Sequence, residues 1–258
     1  EAVRKPWCKA AGLMVTGVLQ TAFAAHPLVT DDTGTQGRGN LQFELSQDHG
    51  KSKRSGVTSK ERAASLTLTR GLTETLDVFI GSSLLANQDP SEYDGTRRGA
   101  GDVATGLKWR YREEEATSMA LKATVTLPTG REAEGLGKGR STQSLLHITQ
   151  MEFGDLSLLV NIGLTRNDNT DVVGERKSLW NTSAGAVYAL DDQLSLVFEM
   201  GSRKQEALSG GKHPSFAQIG AIWHPSKDLD LDFGLKLGLN SAETDRTIGV
   251  GLTKRWGE

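Results

Sequence analysis

The sequence predicts an all-β fold: a transmembrane antiparallel up-and-down β-barrel of about twelve strands, following a cleaved signal peptide. Three observations carry this. Residues alternate apolar and polar with period two in run after run, which gives a strand one greasy and one polar face. The connections between runs are mostly short and long by turns, as in outer-membrane barrels. Past the N-terminus no stretch of 18 residues is apolar, so no transmembrane helix is predicted. The low hydrophobic content, 36%, fits a chain whose strands average out as polar.

The first element is a targeting signal, residues 1–24. Arg4, Lys5 and Lys9 make a positive start, Ala10 to Thr21 is mostly apolar, and Ala22-Phe23-Ala24 is an A-x-A cleavage site. Glu1 stands where Met is expected, so the true start is left open. Cys8 lies inside the signal, so the mature chain is expected to hold no disulfide and no Cys metal site. Of 30 basic and 32 acidic residues, 27 and 31 remain after cleavage. No polybasic run of the kind nucleic acid or anionic lipid needs is visible.

The second element, residues 25–39, is a polar, turn-rich arm on the periplasmic side or in the lumen. The barrel follows, residues 40–258. Its clearest strand holds Leu229, Leu231, Phe233, Leu235, Leu237 and Leu239 against Asp230, Asp232, Gly234, Lys236 and Gly238. Leu156, Leu158, Val160, Ile162 and Leu164 make another, as do Leu76, Val78, Ile80 and Leu84, and Leu194, Leu196, Phe198 and Met200. Weaker runs near 40–49, 58–70, 100–112, 116–127, 141–153, 175–190, 214–224 and 244–256 complete twelve. Short turns are expected near 71–73, 113–115, 154, 191–192 and 225–227. Longer loops are expected near 50–57, 86–99, 128–140, 167–174 and 204–213, with a short last connection near 240–243.

Aromatic placement agrees. Trp109, Tyr111, Tyr188, Trp223 and Trp256 fall near the ends of even-numbered strands with the parity of the apolar face. They are the expected membrane-interface girdle, where amphipathic rings sit best. Trp180 and Phe216 begin strands and are expected near the opposite interface.

Two stretches carry a family resemblance. One is His26-Pro27-Leu28-Val29-Thr30-Asp31-Asp32-Thr33-Gly34-Thr35-Gln36-Gly37, leading into the first strand. The other is Leu127-Pro128-Thr129-Gly130 with Gly135-Leu136-Gly137-Lys138-Gly139, then the Glu152-Phe153-Gly154 turn. Together they resemble the outer-membrane barrel family labelled "meta-pathway of phenol degradation" or "transporter". The resemblance implies the outer membrane of a Gram-negative bacterium and passage of small, often hydrophobic or aromatic, compounds. This chain departs at Arg140-Ser141, where an acidic residue is common, and at Gly257-Glu258, which follow the terminal aromatic. The barrel-assembly machinery would then read a slightly internal signal, Gly251 to Trp256.

Motifs for chemistry are weak. The Gly130–Ser141 loop fails phosphate-loop spacing, because Leu136 stands where Lys is required. Asp31 and Asp32 supply too few oxygens for calcium and read as a turn or strand cap. His147 and Thr149 share a strand face and are the candidate pair for a hydrolase; His49 and His224 sit at strand ends and read as interface residues. No catalytic residue, metal, cofactor or nucleic-acid partner is expected.

The most informative residues are inward charges. Glu44, Asp77, Lys108, Arg110, Lys122, Glu199, Asp230, Asp232 and Lys236 are the expected pore lining. Charges there must be hydrated or paired. Twelve strands leave a constricted lumen, since eight are already filled by side chains. Acidic Asp230 and Asp232 opposite basic Lys108, Arg110 and Lys122 would set a transverse field. The expected function is a passive outer-membrane channel for small solutes. The alternatives are a scaffold barrel around a periplasmic partner such as an electron carrier, and an outer-membrane hydrolase. Lipid and solutes are the expected partners; oligomeric state is left open.

Overall fold

A computed structural model describes residues 26–88, 90, 94–167, 176–208 and 211–257. The signal segment with Cys8, and nearly all of the loop expected near 167–174, lie outside the described residues. Among the described residues thirteen strands are seen: β1 Leu41–Arg54, β2 Val57–Gly71, β3 Leu76–Gln88, β4 Arg97–Ala100, β5 Val103–Glu114, β6 Thr117–Leu127, β7 Thr142–Phe153, β8 Leu156–Asn167, β9 Ser178–Ala189, β10 Leu194–Arg203, β11 Ser215–Ser226, β12 Leu229–Gly238 and β13 Arg246–Trp256. Each pairs antiparallel with its neighbours, and β1 pairs with both β2 and β13. The sheet therefore closes on itself and leaves no long edge unpaired. β4 and β5 both pair with β3, on either side of a break at Gly101-Asp102. They make one stave, so the barrel has the twelve that the alternation predicts.

The barrel is built inside out. Leu84, Ile162, Leu164, Ile219, Phe198 and Val250 are exposed on its outer wall. Among the described residues the buried polar and charged side chains outnumber the buried hydrophobic ones. Period-two alternation produces this directly, because one strand face meets lipid and the other meets the lumen.

Two connections differ from expectation. Residues 50–54 and 57 are strand: β1 and β2 run on to a two-residue turn at Ser55-Gly56. Both turn residues have positive φ, 48° and 86°, the backbone that a tight hairpin with right-twisted strands needs. The polar composition there marked an exposed ribbon and was read as a loop. The last connection runs from residue 239 to 245 and lies at the same end as the long loops. The expected 100–112 strand is split at Gly101-Asp102, where the Asp102 carboxylate leaves the ladder and accepts the backbone N–H groups of Gly130 (2.9 Å) and Lys138 (2.8 Å). This ties the β6–β7 loop back over the mouth. Leu136 from that loop is buried against Gly99, where a Cβ would lie 2.9 Å from it.

Candidate functional site: a lumen crossed by the N-terminal arm

The arm preceding β1 runs inside the barrel. Its conformation is set by the polar inner wall. At the start, His26 is hydrogen-bonded to Asp232 on β12 and lies 3.7 Å from Asp48 on β1. Pro27 and His26 sit over small residues: a Cβ at Gly234 would meet Pro27 at 2.8 Å, and one at Gly251 would meet His26 at 2.6 Å. The Pro27 carbonyl accepts from Gln218. Leu28 enters an apolar patch of the inner wall, with Leu159, Val187, Val197 and Ile222.

Hydrogen bonds then take over. The Glu199 carboxylate accepts the backbone N–H groups of Val29 (2.8 Å) and Thr30 (2.9 Å). The Thr30 hydroxyl donates to Ser183 at 2.8 Å. The Asn161 amide brackets both backbone atoms of Asp31, in the orientation that satisfies donor and acceptor. Asp31 is ion-paired with Lys108 (3.1 Å) and Lys122 (2.5 Å), and Asp32 with Lys108 (2.9 Å). Thr33 donates its backbone N–H to Gln150 at 3.1 Å, and Gln36 donates to Asp77 at 3.0 Å. The chain leaves where Gly37 crosses Gly71 so closely that a Cβ on Gly71 would meet the Gly37 carbonyl oxygen at 1.7 Å. Residues from β3 to β12 thus converge on about a dozen arm residues.

Space remains on either side. A cavity of about 380 Å³ opens between His26–Val29 and the long-loop end, lined by Asp48, Glu61, Arg203, Lys236 and Glu243. A smaller one of about 50 Å³ lies beside Asp31 and Asp32, among Glu44, Asp77, Lys108 and Lys122. At the mouth, Lys138 and Arg140 of the β6–β7 loop pair with Glu206 of the β10–β11 loop, Arg140 at 2.8 Å. Burial pushes the Glu206 carboxyl up. Lys138, Arg140 and the Asn167 amide outweigh it and hold the group below the usual carboxylate range.

Residues 29–256 match the family model described as "Putative MetA-pathway of phenol degradation". The chain belongs to that family. Among solved structures it is similar to the COG4313 outer membrane channel from Pseudomonas putida F1, at TM-score 0.75 and 15% identity, covering 87% of this chain and 98% of that one. It is also similar to the KdgM porin (TM-score 0.57, 7% identity, 84% and 99% covered). A third is the translocator domain of the autotransporter NalP from Neisseria meningitidis (TM-score 0.52, 12% identity, 87% and 91% covered). No curated protein sequence matches the chain.

In this family member the inward charges expected from sequence fall into local groups. Lys108 and Lys122 meet Asp31 and Asp32, Asp77 and Glu199 hold arm amides, and Asp232 holds His26. Glu44 lines the small cavity. Asp230 pairs with Arg255 (2.7 Å), Arg110 with Glu113 (3.3 Å), and Lys236 lies 3.8 Å from Glu243. The acidic and basic walls of the expected transverse field are therefore each countered by a near partner. Trp109, Tyr111, Tyr188, Trp223 and Trp256 are exposed on the outer wall toward the short-turn end. Phe153 joins them there. Phe216 corrects the sequence reading: it is buried, points inward, and carries the Lys236 ammonium over its ring at 5.4 Å.

The histidines are also re-sorted. His147 lies on the outer face beside Tyr111, whose hydroxyl is 2.9 Å from Nε2. His224, read as an interface residue, instead joins an interior chain. Its Nδ1 is 2.7 Å from Asp230 and its Nε2 is 3.1 Å from the Ser195 hydroxyl. The order of groups is that of a serine nucleophile, base and orienting acid. Ser195 is only 2% exposed and Asp230 is shared with Arg255, so the chain ties β10, β11 and β12 together. Sequence spacing gave no sign of it, because the three residues lie on three strands. For the arm the one hint was charge: the paired Asp31-Asp32 are opposite in sign to Lys108 and Lys122, but nothing in their spacing links them.

Proposed function

We propose that this protein is a bacterial outer-membrane channel that passes small solutes down their gradient, with its narrowest level set by the N-terminal arm. The observation that supports this is the arm's position across a polar lumen, with a vestibule on the long-loop side of it. Solute selection would fall to the vestibule and the arm, and the family's description favours small aromatic compounds as cargo. The long-loop end faces outward and the aromatic girdle lies at the periplasmic interface. Transport would use no cofactor and no bond making. Gly251 to Trp256 would be the segment that the assembly machinery reads. The filled lumen also favours a second reading, a scaffold barrel that conducts nothing.

Single-channel conductance separates the two. The refolded mature protein is compared with a variant lacking residues 26–37, both checked for the heat-modifiable mobility of a folded barrel. The channel reading expects small discrete steps from the full protein and severalfold larger ones from the variant. Silence from both folded proteins would overturn it and leave the scaffold.

A further inference from the structure

The β1–β2 ribbon carries a sorted set of charges at the long-loop end. Along β1 the odd residues face outward, as exposed Leu45 shows; along β2 the even ones do, as exposed Leu66 and Leu68 show. Ile248 and Val250 set the outward parity of β13, and Ile80 and Leu84 that of β3. Continuing these parities places Arg246, Lys51 and Lys60 outward and directly in register across β13, β1 and β2. Two residues closer to the membrane, about 7 Å along the strand, Arg62 faces outward, and Arg98 follows on the same face through Ala86. All five cations are exposed. The acids of the same strand ends, Asp48 and Glu61, point the other way and line the vestibule. Among the described residues none of the five cations forms an ion pair.

Like charges directly opposite each other destabilise a sheet. Three in one row, with no acid on that face among the described residues, call for an anion from outside the chain. The rows begin where the apolar belt of Ile248 and Leu84 ends, which is the depth of lipid headgroups. We propose that this outward face binds the phosphates of the outer-leaflet glycolipid, lipopolysaccharide. The inference rests on the orientation given under Proposed function. Arg62 and Arg98 would take the phosphate nearest the belt, and Lys51, Lys60 and Arg246 those of the inner saccharide core. The cations would replace the divalent ions that otherwise bridge these phosphates. The patch is invisible as a run in the sequence because its members come from four strands.

The test measures binding of purified rough-type lipopolysaccharide to the refolded mature protein in detergent, by native mass spectrometry. The comparison is a Lys51→Gln, Lys60→Gln, Arg62→Gln variant that retains heat-modifiable mobility. A cation near an anionic lipid surface contributes about fivefold in affinity, so the triple change should weaken binding roughly 100-fold. Enzymatically dephosphorylated lipid should bind the unaltered protein as weakly as the intact lipid binds the variant. Equal binding by variant and unaltered protein, or equal binding of both lipids, would overturn the proposal. Orientation is tested apart, with Ser55→Cys and a membrane-impermeant maleimide on intact cells. Labelling places the ribbon tip outside. Labelling only after permeabilisation would reverse the orientation itself and remove the patch from the outer leaflet.

Discussion

The two halves of the arm are held by opposite distributions of charge. In the half from His26 to Thr30 the wall supplies the carboxylates, Asp232 and Glu199, and the arm supplies His26 and two backbone N–H groups. In the half from Asp31 to Gln36 the arm supplies two carboxylates that the wall answers with Lys108 and Lys122, while at its end the Gln36 N–H meets the wall carboxylate Asp77. Glu199 against backbone amides places one buried charge among neutral donors, which solvate it through fixed dipoles. The aspartate–lysine cluster places four charges together in a half-dry site. Removing a member of such a cluster leaves its partners uncompensated, which costs more than losing a hydrogen bond. The arm should therefore be locked at Asp31 and merely guided at Glu199.

The largest effect is expected from Asp31→Ala. It leaves Lys108 with Asp32 alone and removes the carboxylate paired with Lys122. Breaking a buried pair costs about 3–5 kcal/mol. Amide hydrogen exchange at Thr33 and Gln36, followed by mass spectrometry, should accelerate by roughly 10²-fold or more. Unchanged exchange would mean that lumen water screens the lysines, and the contrast between the halves would disappear.

A smaller and more local effect is expected from Glu199→Gln. One carbonyl oxygen remains to accept an amide, and the new NH2 group faces the other N–H. The cost is about 1–2 kcal/mol. Exchange at Val29 and Thr30 should rise about tenfold, while Thr33 and Gln36 keep their protection. If all four amides accelerated together, the arm would be a single cooperative unit rather than two separately held halves.

How much of this was written in the sequence follows from the range of each interaction. Alternation within one strand is a local property, so Leu229 to Gly238 disclosed both its structure and its two faces. The outward placement of Trp109 and Trp256 was legible for the same reason: they share the parity of their own strand's apolar face. The arm's destination was not legible. Asp31 and Lys108 are 77 positions apart, and only closure of the barrel brings them together. His224 was misplaced because its partners, Ser195 and Asp230, lie on neighbouring strands whose register no single run specifies. The outward cations on β1, β2, β4 and β13 stayed hidden in the same way, and polar composition at 50–57 concealed strand as loop.

The smallest effect is expected at the mouth, and it concerns pH. Glu206 joins the β6–β7 and β10–β11 loops through Lys138 and Arg140, and lies nearer to solvent than the arm's cluster. Its carboxyl is held below the ordinary range, so the charged form is favoured when the loops are latched. Stability from a depressed carboxyl is fully present above the free value of about 4.3 and is lost as pH falls through the latched value. The latch should thus hold at neutral pH and release only in acid, below the ordinary carboxylate range. Solvent screening limits its worth to about 1 kcal/mol at most. Proteolysis in the β6–β7 loop, compared at pH 7 and pH 3 with an acid-tolerant protease, should rise severalfold for the unaltered protein. A Glu206→Gln variant should already be susceptible at pH 7 and change little. If that variant kept the acid response, the titrating group would lie elsewhere. The Asp102 carboxylate, which accepts the Gly130 and Lys138 backbone N–H groups, would then be the latch.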